Sequence, residues 1–292
     1  MSFPVLKAHE LSNSQQRLLR DDPSKGLTNI QEHATLHDLL DAWSDKSMWG
    51  LYLIGLIAYI PQGPVQAYLS LTLKRLGFST FDSNMLSIPS AALQIILMLA
   101  LCKSSEIFKE RTFHCLFGEL WSLPLLAALI ALPNGGYNWP RFTITTLISG
   151  YPYFHPIVSA WISENTFDVK KRALTAATYN VIVQIGSVIS SREFLSIYYP
   201  DFISSRSIAN LRTEIYRSSD SPYYHTGNKV LISICVLALV VFVLQRELLR
   251  YLNRQKEKKW NAMSPEEQEL YQADQVAREK EGNKRLDFRF SY

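Results

Sequence analysis

Long apolar runs alternate with short polar segments along most of this chain, and both of its ends are strongly polar. Six of the runs are long enough for a membrane-crossing helix, which needs about 20 residues. They span residues 48–72, 84–103, 113–133, 142–162, 173–193 and 229–249. Buried helices of soluble proteins rarely reach this length without a charge. The pattern therefore predicts an all-α integral membrane protein with six transmembrane helices.

The polar ends set the expected domain organisation. Residues 1–47 are predicted to lie outside the membrane and to contain no secretory signal, because no apolar run precedes the first span. Residues 48–249 form the predicted six-helix domain, and residues 250–292 form a basic and charged tail. In that tail, Ser264 and Glu267 have the spacing of a capping box, which predicts the start of a helix.

Charge predicts the orientation of the spans. The net charge is only +4, but the basic residues collect in alternate connections and after the sixth span. These are Lys103, Lys109, Arg111, Lys170, Lys171, Arg172, Arg250, Arg254, Lys256, Lys258 and Lys259. Since basic residues stay on the side that is not translocated, both termini are expected in the cytoplasm.

Four of the six spans carry hydrogen-bonding side chains near their midpoints, whereas the third and sixth are apolar there. An unpaired polar group in hydrocarbon costs on the order of a few kcal/mol, so the four polar helices are expected to face one another or water. The third and sixth helices are expected to face lipid. The candidates for lining a shared polar cavity are Gln62, Gln66, Gln94, Tyr151, Tyr153, His155, Asn180 and Gln184.

Proline and glycine interrupt the first and fourth spans, at "YIPQGP" and "GYPYFHP". Such breaks release backbone carbonyl groups, which is tolerated in a membrane where the freed groups are buried or line a cavity. The same polar side chains could instead bond one helix to its neighbour, and the sequence leaves both interpretations open for each residue.

Two ionisable side chains inside the spans have alternative interpretations. Glu119 is a candidate proton-coupling carboxylate, since acids inside the membrane are commonly functional. The alternative places it near the interface, paired with Lys109 or Arg111. His155 could relay protons near neutral pH, or it could fill the helix kink beside Pro156.

No motif of a soluble enzyme, metal site or nucleic-acid interface is present in the sequence. The three cysteines, Cys102, Cys115 and Cys235, have no metal-ligand spacing and are interpreted as apolar packing residues. We therefore expect no enzymatic activity, no cofactor and no metal.

Several stretches resemble the carboxy-terminal half of the fungal allantoate permease family, which are anion:cation symporters of the major facilitator superfamily. The matching stretches are "RLLRDDPSKG" (17–26), "LYLIGL" (51–56), "LTLKRLGFSTFDSNMLSIPS" (71–90), "GELWSLPLL" (118–126), "IYRSSDSPYYHTGN" (215–228), "KKWNAMSPEEQ" (258–268) and "GNKRLDFRFSY" (282–292). Trp161, Asn165, Arg172 and Asn180 also stand where the family has similar residues. The resemblance implies that Trp161, Asn165 and Arg172 belong to a cytoplasmic gating turn.

The resemblance implies one half of a twelve-helix transporter. Such a protein would take up small organic anions, for example allantoate, ureidosuccinate or vitamin carboxylates, together with protons, in the plasma membrane. Since the family works by rocking one half against the other, a second half-transporter or a homodimer would have to supply the opposing wall. The alternative is a truncated or incorrectly predicted gene product that lacks the first six helices and does not transport.

Residues 192–214 depart from the family pattern as an insertion before "IYR". They are either a retained intron, since the codons of this stretch can encode splice signals, or a real extracellular loop with an aromatic segment at the membrane interface.

Overall fold

A computed structural model describes residues 35–75, 77, 79–133, 138–167, 169–190, 223–274 and 281–292. Two sequence predictions fall outside these ranges: most of the amino-terminal segment 1–47 and the insertion 192–214.

Most of the described residues are helical. In chain order the helices are α1 (Leu36–Ser44), α2 (Trp49–Ile57), α3 (Gly63–Arg75), α4 (Thr80–Met85), α5 (Ile88–Phe108), α6 (Thr112–Ala131), α7 (Asn138–Ser149), α8 (His155–Asn165), α9 (Val169–Ser190), α10 (His225–Asn261) and α11 (Pro265–Ala273), followed by a 3-10 turn at Gly282–Lys284. The capping box predicted for Ser264 and Glu267 is confirmed at the start of α11.

Within the described residues, three helical segments are long and apolar enough to cross a membrane: Thr80–Phe108, Thr112–Ala131 and His225–Asn261. Helix α9 has 22 residues, but its threonine, asparagine and glutamine side chains lower its hydropathy. The first and fourth predicted spans are each divided into two helices of 9 to 13 residues. The helical, membrane-spanning class is therefore supported, and a count of six spans stays a prediction.

The two divisions fall where proline and glycine predicted them. Helix α2 ends at Ile57, and α3 begins at Gly63, after the turn that contains Pro61. Helix α7 ends at Ser149, and residues 150–154 are not helical before α8 begins at His155. Proline has no N–H to donate to the preceding turn, and glycine does not favour the helical backbone.

The core of the bundle lies where α10 packs against α6 and α2, and where α2 packs against α9. Phe154, Trp161, Tyr179 and Phe242 are fully buried there. In lipid the hydrophobic effect does not draw helices together, so close packing has to hold them. At the crossing of α2 and α9, a Cβ atom on Gly186 would lie 2.3 Å from the Leu56 carbonyl oxygen, so any side chain would push the helices apart.

The apolar surface is distributed differently from the expectation. Helices α6 and α10 each expose an apolar stripe, for example Leu120 and Leu244, but they also bury their other face in the core. Helix α5, expected among the cavity helices because of Gln94, is instead widely exposed, with Ile96 64% and Leu99 61% exposed. Its neighbours cover only a narrow strip that includes Ser90, Leu101 and Ser105.

One end of the bundle carries Arg111, Lys170 and Arg246, and we call it the basic end. Arg111, just before α6, forms an ion pair with Glu164 near the end of α8. This hydrogen-bonded carboxylate raises the pKa of Arg111. Arg246 of α10 lies 3.8 Å from Glu110 in the turn before α6. The connections that the sequence assigned to one side of the membrane therefore lie side by side.

Helix α1 packs along the start of α9 at the same end. Lys170 Nζ lies 2.8 Å from Asp38 Oδ2, and the indole N–H of Trp43 donates to Thr178 Oγ1 at 3.1 Å. The hydrogen bond from Lys170 holds the pKa of Asp38 well below its usual range. Lys170 and Thr178 of α9 thus hold α1 against the bundle.

Candidate functional site

The break between α7 and α8 is built into the interior of the bundle. Tyr151 is buried, and its ring meets the Phe154 ring edge-on at 6.5 Å. Phe154 in turn packs edge-on against Phe242 of α10 at 5.7 Å. A Cβ atom on Gly118 of α6 would lie 2.4 Å from the Phe154 ring, so only glycine lets the break approach this closely. Packing therefore fixes the path of residues 150–154 between the two helices.

Two side chains at the break stack in parallel and turn toward α9. The Tyr153 and His155 rings have centroids 5.7 Å apart and planes 3° apart. His155 also packs against Tyr179, with ring centroids 5.2 Å apart, and lies beside Asn180. The ring centroid of Tyr59, at the other helix break, lies 5.8 Å from that of His155. These five residues form a continuous surface that we call the aromatic face.

Sequence reasoning selected Tyr153, His155 and Asn180 but missed the two tyrosines that join them. The hydroxyl groups of Tyr59 and Tyr179 are hydrogen-bonded at 2.6 Å, across 120 positions of the chain. A signal was available, since Tyr59 lies two residues before Pro61 and Tyr179 precedes Asn180. The hydrogen bond links the break in the first predicted span to the middle of α9.

The aromatic face borders on an exposed surface. Asn180 and Gln184 are exposed on α9, and Val181 beside them is 59% exposed. On α2, Trp49 is 59% and Leu53 is 44% exposed. Gln184 therefore lies beside the aromatic face on the outer surface, and the described helices leave this side of the bundle uncovered.

A second polar cluster lies in the interior between α6 and α10. Glu119 is completely buried, and Cys235 Sγ donates to its Oε2 at 3.1 Å. Gln62, also buried, lies next to Glu119 and donates to Ser122 Oγ at 3.1 Å. Among the described residues, Glu119 Oε1 and Gln62 Oε1 are buried and lack a hydrogen-bond partner. We call these four residues the buried cluster.

The ion pair suggested between Glu119 and Arg111 is not formed. Glu119 lies in the helix interior with Cys235, and Arg111, one of its two suggested partners, pairs with Glu164 instead. The other suggested partner, Lys109, is exposed at the basic end as the left-handed terminal cap of α5. An uncompensated acid at this position is costly, which is why such groups attract functional interpretation.

Two further cavity candidates belong to neither group. Gln66 is exposed on α3 and donates to the Ser149 carbonyl oxygen at 3.0 Å, which ties α3 to the end of α7. Gln94 is half-buried on α5. Other cavity candidates are divided between the aromatic face and the separate buried cluster, with Tyr151 inside the core, and a shared cavity stays a prediction.

The residues of the predicted gating turn have defined contacts at the basic end. Trp161 Nε1 donates to the Ser291 carbonyl oxygen at 2.7 Å, and Asn165 Nδ2 donates to the same oxygen at 3.0 Å. Arg172 donates to the Thr166 carbonyl oxygen at 3.1 Å, which satisfies a backbone group at the end of α8. The structure thus joins the three predicted turn residues to the end of α8 and to the carboxy-terminal tail.

Known proteins similar to this chain are fungal transporters. It is 34% identical over 274 residues to the uncharacterized transporter YIL166C of Saccharomyces cerevisiae, covering 94% of this chain and 46% of that protein. It is 35% identical over 238 residues to the putative uncharacterized transporter YOL162W of the same yeast, covering 81% of this chain and 99% of that protein. The major facilitator-type transporter hxnP of Emericella nidulans is 24% identical over 204 residues, covering 68% of this chain and 39% of that protein.

The chain thus spans less than half the length of YIL166C and hxnP and nearly all of YOL162W. No family model matches it, and no solved structure matches it. Its apolar helices and the identity shared with YOL162W over almost that whole protein agree on one assignment. The chain belongs to the same family of fungal membrane transporters as YOL162W, and it is similar to the major facilitator-type transporter hxnP.

Proposed function

We propose that this chain is one six-helix half of a secondary transporter that takes up small organic anions together with protons. Allantoate, ureidosuccinate and vitamin carboxylates such as nicotinate are the proposed substrate class. The observation that carries the proposal is the aromatic face, where two helix breaks bring Tyr59 and His155 together, with His155 beside Asn180 in the middle of α9.

The chemistry of this face suits a flat or short carboxylate. The exposed Asn180 amide and the half-buried Tyr153 hydroxyl group can donate hydrogen bonds to carboxylate oxygens, and the parallel Tyr153 and His155 rings offer a surface for a planar solute. The predicted spans that build it, 48–72, 142–162 and 173–193, contain no lysine and a single arginine, Arg192, at the end of the fifth span. A counter-charge for the anion would come from elsewhere.

The exposed side of α2 and α9 is where the second half of the transporter would pack. It carries Asn180 and Gln184 beside apolar side chains, among them Trp49 and Leu53. Polar groups facing hydrocarbon are costly, so an opposing helical half, from a separate chain or a second copy, would stabilise this surface and close the site. The lengths of YIL166C and hxnP, of which this chain covers 46% and 39%, support such a partner.

Glu119 is the proposed proton-coupling group. It is buried in the bundle, its Oε1 atom has no hydrogen-bond partner among the described residues, and its ion-pair alternative with Arg111 is not formed. A carboxyl group in this setting can bind and release a proton as its surroundings change between two states of the transporter. The basic end, with its clustered arginines and lysines, is the proposed cytoplasmic side of the plasma membrane.

Uptake of radiolabelled allantoate, ureidosuccinate and nicotinate tests the proposal. Yeast cells would express the chain alone, or together with the part of YIL166C that its alignment with this chain leaves out. We expect uptake above the empty vector for the pair, abolished by a protonophore. His155→Leu should abolish uptake, whereas Ile189→Ala, an exposed residue of α9 away from the face, should not.

Surface labelling of both variants has to show equal amounts in the membrane. Equal uptake by His155→Leu and the unmodified pair would remove the aromatic face from the transport path. Absence of uptake for every solute, by the chain alone and by the pair, would contradict the transporter proposal itself.

A further inference from the structure

Residues 282–292 run across the basic end of the bundle, and we call this segment the strap. Its path is set by two asparagine side chains on different helices. Asn165 of α8 donates to the Ser291 carbonyl oxygen at 3.0 Å and accepts from the Ser291 N–H at 2.7 Å. Asn253 of α10 does the same with Phe290, at 2.8 Å for both bonds.

The two asparagines therefore bind adjacent residues of the strap by the same two-bond pattern. In an extended chain, the N–H and C=O groups of successive residues point to opposite sides. Phe290 can thus face α10 while Ser291 faces α8, so the strap lies between the two helices as a strand lies between its neighbours. Peptides that add to a sheet edge are recognised through main-chain groups in the same way.

Further contacts fix the rest of the strap. The buried ammonium group of Lys256 donates to the carbonyl oxygens of Asn283 and Phe288, and it lies 4.2 Å from the centre of the Phe290 ring. The Asn283 amide reaches Asp45 in the turn before α2. The strap thus joins α8, α10 and the entry to α2.

Helix α8 is the element most dependent on this support. It has only 11 residues, and the break at residues 150–154 separates it from α7. Trp161 and Asn165 lie at the strap end of α8, and His155, in the aromatic face, is its first residue. The ten intervening steps make a rod of about 15 Å, so a tilt at one end moves the other.

We propose that the strap is a positioning element for the aromatic face. By holding Trp161 and Asn165, it fixes the half-helix α8 against α10 and thereby sets the place of His155 beside Tyr59 and Asn180. Its release would let α8 move about the break at residues 150–154. The structural part of this inference stands without transport, and its consequence for uptake rests on the proposed function.

Hydrogen exchange of the purified full chain in lipid nanodiscs tests the structural part. Asn253→Ala removes one attachment of the strap without altering α8. We expect about ten-fold faster exchange at Phe290 and Ser291, the change expected from the loss of two hydrogen bonds, and a parallel increase along α8 but not along α6. Asn253→Asp, which keeps an oxygen to accept from Phe290 N–H, should fall between the two.

Asn261→Ala is the matched control, because Asn261 is exposed on the same helix, away from the strap contacts. It should leave the exchange unchanged. Faster exchange in the strap with unchanged α8 would overturn the positioning role. Unchanged exchange in the strap itself would show that Asn253 does not hold it, which also overturns the inference.

The consequence for uptake is measured with the paired transporter halves. Asn253→Ala should raise the KM for the solute several-fold with a smaller change in maximal rate, because the binding residues are displaced rather than removed. Loss of maximal rate at constant KM would contradict positioning of the face. If the unmodified pair shows no uptake, the proposed function fails, and the exchange experiment alone decides the role of the strap.

Discussion

Gln62 of the buried cluster and His155 and Asn180 of the aromatic face were all predicted near the midpoints of their spans, yet they have different surroundings. Glu119 and Gln62 are sealed between helices, whereas Asn180 is exposed on α9 next to half-buried His155. Sealed polar groups have to find partners inside the protein or remain unpaired. Exposed ones can bind a solute or another protein. Polarity near the middle of a helix thus indicates two different uses, and burial distinguishes them.

Gly186→Leu should have the largest effect. It disrupts the α2–α9 crossing, which supports the aromatic face but not the buried cluster. The added side chain would meet the backbone of α2 at Leu56, which cannot move aside as a side chain can. We expect a loss of about 3 kcal/mol or more in the free energy of unfolding. Thermal unfolding in detergent measures it, with Ile185→Leu at an exposed neighbouring position as the control. Unfolding temperatures equal to the unmodified protein would show that the α2–α9 crossing is loose.

Glu119→Ala tests the sealed region. The substitution leaves a cavity and removes the acceptor of the Cys235 thiol, so we expect a loss of about 2 kcal/mol in the free energy of unfolding. Glu119→Gln keeps the volume and should lose less, while uptake by the paired halves should stop responding to the proton gradient. Uptake by Glu119→Gln that still follows the gradient would exclude Glu119 as the coupling group.

Asn180→Ala provides the contrast between the regions. Because Asn180 is exposed, its removal should change the free energy of unfolding by less than about 0.5 kcal/mol. Uptake by the paired halves should nevertheless fall. A stability loss as large as that of Glu119→Ala, with uptake preserved, would reverse the roles assigned to the two regions.

The smallest expected effect is a pH dependence at the contact of α1 with α9. The pKa of Asp38 is lower in the folded protein because Lys170 donates to it. Its stabilising contribution is therefore complete above the unfolded pKa, about 4, and is lost as the pH falls below that value. The NMR signal of the Trp43 indole N–H, bonded to Thr178, should report weaker docking at low pH. Asp38→Asn should remove this dependence, and an unchanged profile in that variant would assign it to another group.

Sequence patterns predicted local features well. The proline and glycine positions predicted both helix breaks, hydropathy predicted α6 and α10, and the Ser264–Glu267 spacing predicted the start of α11. Each of these depends on residues close together in the chain.

Partners distant in the chain were not predicted. Tyr59 and Tyr179 are 120 positions apart, and Asn165 and Ser291 are 126 apart. No spacing rule connects such residues, because the packing of whole helices decides which side chains meet. The separation of Glu119 from the aromatic face has the same cause, since the rotation of α6 about its axis is set by its contacts with α10 and with the break at Phe154.

The two asparagines of the strap have a consequence for mutational tolerance. Asn165 and Asn253 bind only peptide N–H and C=O groups, so the identity of the side chain at position 291 does not enter that contact. A saturation scan should therefore accept most residues at Ser291 and reject proline, which has no N–H. The two asparagines should accept almost nothing else. Variability of the tail among related proteins would then conceal a constant mode of attachment.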